Sequence, residues 1–91
     1  MKVAVTRSGG FAGLVRRAEV DSADHPAVAG LIDDVRLDEV PEPKPEPDRF
    51  VYDIQIGDHS AQVSEADLRG PLRELVDHVM THGRRPPSPA P

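Results

Sequence analysis

The sequence predicts a two-layer α+β domain: a four-stranded antiparallel sheet with two helices on one face, in the order ββαββα. Three observations predict it. Residues 50–56 (FVYDIQI) and 59–63 alternate apolar and polar side chains on either side of Gly57-Asp58, the pattern of a β-hairpin. Leu72, Leu75, Val76, Val79 and Met80 recur at the spacings of one helical face. A chain of 91 residues has room for one modest core, which a sheet covered by helices builds economically.

Residues 2–6 (KVAVT) alternate in period two and predict the first strand. Residues 11–20 (FAGLVRRAEV) predict the second, with Gly9-Gly10 as the two-residue loop of a tight hairpin. That turn sets Ser8 opposite Phe11, Val5 opposite Leu14 and Val3 opposite Arg16. Side chains alternate across a sheet, so Val3, Val5, Leu14, Ala18 and Val20 share the core face. Phe11, Gly13, Val15, Arg17 and Glu19 share the other, which puts the Phe11 ring near the hairpin tip on the open side.

Val28, Leu31, Ile32 and Val35 predict an amphipathic helix over 25–39, with Asp24 as N-cap and Pro26 in the first turn. It must stop before Pro41. Residues 41–47 (PEPKPEP) read as an extended, polyproline-like connection. In the second hairpin a type II′ turn at Gly57-Asp58 returns His59, Ala61 and Val63 opposite Ile56, Ile54 and Tyr52. The last helix is predicted from Pro71 to about His82, stopped by Gly83. Pro86, Pro87, Pro89 and Pro91 preclude more helix. The expected organisation is one domain over 1–83, with a Pro/Glu-rich loop at 41–48 and a disordered Pro-rich tail at 84–91.

Composition excludes several classes. With no cysteine there is neither a disulfide framework nor a thiolate metal site. The start MKVAVTRSGG lacks the apolar run of a secretory signal and no stretch of 18 apolar residues occurs, so a soluble, cytoplasmic protein without membrane contact is expected. A net charge of −5 argues against nucleic acid as partner. A monomer without cofactor is the expectation.

His78 and His82 stand four apart on the last helix, the spacing of helical zinc pairs. Val79 occupies the place of the general-base glutamate in H-E-x-x-H, and no third ligand stands nearby in sequence. The pair therefore reads as a solvated helix face, with His82 suitably placed for the negative end of the helix dipole. His25 and His59 read as structural or exposed. Ser8, Ser22, Ser60 and Ser64 have no activating base in sequence context, so no catalytic residue is assigned and the chain is not read as an enzyme.

A binding site is read instead at Arg7, Ser8, Gly9, Gly10 and Phe11. There an aromatic ring without a core role stands beside glycines that a partner's backbone can approach. A tip of this size rarely fills a standard interface, so the Gly57-Asp58-His59 turn is the candidate second contact.

Three stretches carry a resemblance. Arg7-Ser8-Gly9-Gly10-Phe11-Ala12-Gly13-Leu14 follows the first strand, Asp48-Arg49-Phe50-Val51-Tyr52 opens the third, and Leu68 precedes Gly70-Pro71-Leu72-Arg73-Glu74-Leu75 at the last helix. Together they resemble the emfourin family across almost the whole chain. The Pro-Glu repeat at 41–47 and the tail after Gly83 depart from that pattern. The resemblance implies inhibition of thermolysin-like (M4, protealysin-type) zinc metalloproteases, whose cleft has zinc at its floor and a pocket for large apolar side chains. The alternative is a non-inhibitory interaction module or regulatory subunit.

Overall fold

Strand β3 (Phe50–Ile56) and strand β4 (His59–Ser64) form the predicted hairpin. The computed structural model describes residues 1–9, 15–41 and 49–84. Ile56 faces His59, Ile54 faces Ala61 and Tyr52 faces Val63, as the period-two pattern requires. Gly57 has φ 58° while no described non-glycine residue has positive φ, so Asp58 excludes type I′ and fits type II′.

The first hairpin departs from expectation. Strand β1 (Lys2–Gly9) pairs with β2 (Arg16–Asp21) so that Val3 faces Val20, Val5 faces Ala18 and Arg7 faces Arg16. The expected Val3–Arg16 pairing is thus displaced by four residues. Gly9 is no loop residue but the end of β1, paired with Phe50 of β3. Because four is even, Val3, Val5, Ala18 and Val20 still face the core. The physical reason is cross-strand matching: the observed register sets apolar against apolar, whereas a two-residue turn would have opposed Val3 to an arginine. Residues 10–14, including Phe11 and its predicted pairing with Ser8, lie outside the described residues.

All pairings are antiparallel and the sheet order is β2-β1-β3-β4, which makes β1 a central strand. Helix α1 (Pro26–Asp34) and helix α2 (Pro71–His82) cover one face. Val3, Val5, Ala18, Val20, Ile54, Ile56 and Val63 from the strands meet Val28 of α1. Leu72, Leu75, Val76 and Val79 of α2 complete the layer, with Leu68 from the preceding segment.

The first helix is shorter than its periodicity predicts. Val35 is extended, and a 3₁₀ turn follows at Leu37–Glu39. Asp33 and Asp34 put two carboxylates at the negative end of the helix dipole, with no basic residue in that turn to offset them. Leaving the helix costs no burial, because Val35, Leu37 and Val40 still pack on the core. The N-cap is His25, not Asp24, and it makes no side-chain capping bond.

Helix α2 keeps its predicted bounds and ends at Gly83. The chain then turns back to the sheet. Arg84, expected in the tail, exchanges two backbone hydrogen bonds with Glu19 of 2.8 and 3.0 Å, along the outer edge of β2. Gly83 must stay small there: a Cβ would lie 2.2 Å from the Val79 carbonyl oxygen and 3.0 Å from the Ala18 Cβ. The segments 42–48 and 85–91 lie outside the described residues.

Candidate functional site

The described candidate site residues fall at two opposite ends of the sheet, while Gly10 and Phe11 lie outside the described residues. Arg7, Ser8 and Gly9 finish β1 at one end, beside Arg16, Arg49 and Phe50. The Gly57-Asp58-His59 turn lies at the other, where the Gly57 N–H donates to the Lys2 carbonyl at 2.9 Å. From Lys2 to Gly9 the strand runs roughly 23 Å at about 3.3 Å per residue. The two expected contacts are therefore not brought together.

Arg7 is held by backbone on both sides, and Ser8 and Gly9 on the β3 side. Arg7 pairs with Arg16 across one edge and with Tyr52 across the other, and Gly9 pairs with Phe50. Gly9 has φ 103°, a conformation that L side chains rarely adopt, and a Cβ there would stand 2.7 Å from the Arg49 carbonyl oxygen. The chain leaves β1 at this glycine and re-enters the sheet at Arg16. The Arg7 guanidinium lies 4.7 Å from the centroid of the half-buried Phe50 ring, a cation–π contact. Arg16 donates to the Met80 carbonyl of α2 at 3.2 Å, fastening the start of β2 to the helix layer. Val15, just before β2, is 68% exposed.

The turn at Gly57–His59 has different surroundings. The Met1 side chain passes over Gly57, and an open groove of about 350 Å³ runs alongside, lined by Met1, Ile32, Val35, Leu37, Ile56 and His59 among others. A second, more polar opening borders His25, His82 and Arg84. Neither lies at the Arg7–Gly9 end.

The histidines make a contact that sequence spacing could not reveal. His25, at the start of α1, and His78 of α2 are 53 residues apart, yet Nδ1 of the first lies 3.1 Å from Nε2 of the second. Their ring centroids are 5.3 Å apart, so both nitrogens sit near the line joining the rings and face each other. That is hydrogen-bond geometry, with one neutral ring donating and the other accepting. His82 also lies against His78, ring centroids 4.7 Å apart. Among the described residues no three His, Asp or Glu side chains are grouped so as to hold a metal ion.

His78 is held below the ordinary imidazole value of 6.5, first by burial and then by the charges of His82 and His25. The folded state thus disfavours the proton that the unfolded chain accepts. This contribution to stability is complete above pH 6.5 and is lost as pH falls through the lower folded value. The melting temperature should therefore decline as pH is lowered from 6.5, and less steeply in His78→Gln. Parallel pH profiles for parent and variant would contradict this account of the contact.

No described helix is long and apolar enough to cross a membrane. The Emfourin family model matches residues 5–80 of the chain. No curated protein and no solved structure matches it.

Proposed function

The chain belongs to the Emfourin family, and from that premise we propose that it inhibits a thermolysin-like (M4, protealysin-type) zinc metalloprotease by reversibly occupying the active-site cleft. The observation that carries the reading is the span of the family match, which runs from within β1 to within α2 and takes in the Arg7–Gly9 end. The reading is of a binding protein rather than an enzyme. Absence of cysteine suits a reducing compartment, and the proposal is for a cytoplasmic inhibitor.

The proposed contact is the segment from Arg7 through Phe11. Its first three residues are already ordered by strand pairing and lose little freedom on binding, which favours affinity. The sequence has three aromatic residues besides histidine, and two of them, Phe50 and Tyr52, lie within β3. Phe11 is the third and is proposed as the anchor for the cleft's apolar pocket. Since Gly57–His59 lies at the opposite end, the rest of the interface is proposed to come from the neighbours of Arg7–Gly9.

The inhibition constants of three proteins test this placement. Phe11→Ala should raise the constant by an order of magnitude or more, the loss of about 2 kcal/mol typical of an anchor. His59→Ala should stay within a few-fold of the parent. The reverse ranking, with both variants folded, would move the contact to the Gly57–His59 end.

A further inference from the structure

The chain carries a net charge of −5, yet the end of the sheet that bears Gly9 is basic. Arg7 and Arg16 are direct cross-strand partners, Arg17 follows on the opposite face, and Arg49 precedes β3 beside Gly9. Like charges placed directly opposite each other in a sheet are destabilising. Among the described residues no carboxylate offsets the pairing: no ion pair involves Arg7, Arg16 or Arg17. Arg7 is stacked on Phe50 and Arg16 is tied to the Met80 carbonyl, so two of the cations are held in place without being neutralised. Arg16 and Arg17 are exposed.

The opposite end is organised differently. There the Met1 ammonium meets Asp21 at 3.3 Å and Lys2 meets Glu19 at 3.2 Å. Charge is paired locally at that end, whereas among the described residues Arg7, Arg16 and Arg17 make no ion pair at the other. The nearest described carboxylate in the row of Arg17 is Asp53, which lies beyond Thr6 across β1 and makes no ion pair with it.

We infer that Arg16 and Arg17, on the two faces of the edge strand β2, together with Arg7 beside Arg16, give this end of the sheet a positive edge that docks on an acidic protein surface, the rim of the protease cleft that receives the adjoining segment. The inference rests on the inhibitor reading and adds to it the chemistry of the partner's rim. Fixed cations around an apolar anchor raise the rate of encounter and orient it, while the anchor governs dissociation.

Association and dissociation rates with a thermolysin-like protease, measured from about 10 mM to physiological ionic strength, test it. Arg16→Glu/Arg17→Glu should slow association about tenfold or more at the lowest ionic strength, with the difference shrinking as salt is added and dissociation little changed. Arg17→Glu alone disturbs no contact within the chain and should show the same effect at smaller size. Arg36→Glu makes the same charge change beside Leu37 at the far end, and should associate like the parent. Association rates of the arginine variants equal to the parent's would overturn the inference while leaving inhibition intact. Equal slowing by Arg36→Glu would reduce the effect to net charge and overturn it as well. A lowered melting temperature with unchanged association would assign the cations to the fold. A parent that does not inhibit at all would remove the inhibitor reading and this inference with it.

Discussion

Leu75→Ala should lower the melting temperature by roughly 10–30 °C. Leu75 is fully buried and lies between the helix layer and the sheet. Cutting a buried leucine to alanine costs about 2–5 kcal/mol, part from lost transfer energy and part from the cavity left behind. A domain of this size has a total stability of about 5–15 kcal/mol, and each kcal/mol moves its midpoint by about 4–8 °C. Val15→Ala is the contrast. At 68% exposure Val15 has little burial to lose, and its midpoint should move by less than about 0.5 kcal/mol allows. Thermal unfolding followed by far-UV circular dichroism distinguishes them. Similar midpoints for the two variants would mean that α2 does not pack on the sheet through Leu75.

Gly9→Ala is expected to lose both stability and inhibition. The backbone at φ 103° strains any L side chain, and the new methyl group would meet the Arg49 carbonyl oxygen at 2.7 Å. Neither partner of that clash is a flexible side-chain tip, so the end of β1 must move away from β3. The cost should be about 1–3 kcal/mol. Because the displaced residue leads into the proposed contact segment, the inhibition constant should rise in the fraction that remains folded. Gly30→Ala gives the matching control. Gly30 lies within α1 with open space around it, and alanine there should be neutral or stabilising by about 0.5–1 kcal/mol. A Gly9→Ala protein that melts and inhibits like the parent would contradict the close approach of β1 and Arg49.

The second hairpin and the last helix were legible because each signal is local. Phe50–Ile56 and His59–Ser64 are joined by a turn whose residues dictate its length, so period and register come from one short stretch. Pro71 and Gly83 bracket the stripe of α2 in the same way. The first hairpin was not legible from its turn, because Gly9-Gly10 is followed by Gly13 and the glycines mark a longer connection. The signal that could have fixed it was the strand faces. Val20 and Ala18 match Val3 and Val5, and only the observed register lets them meet. Helix α1 shows the limit of periodicity: Val35 keeps its place on the core after the backbone has left the helix.

The candidate site divides along the same line. Glycine next to an apolar ring marked the Arg7–Phe11 segment, a local pattern. The opposition of Arg7 to Arg16 depends on a long-range pairing and appears only once the register is known. The placement of Gly57–His59 at the other end follows from the sheet order, which the sequence pattern does not specify. The bond between His25 and His78 joins elements 53 residues apart and leaves no periodic trace at all.

The most direct test of the inhibitor reading is a titration of the protein into a thermolysin-like metalloprotease, with hydrolysis of a short peptide substrate as the signal. The account predicts that the rate falls toward zero as the protein is added, and that excess peptide substrate partly restores it, as occupation of the cleft requires. A rate unchanged at large excess, with a complex still detectable by gel filtration, would contradict inhibition and leave a non-inhibitory interaction module.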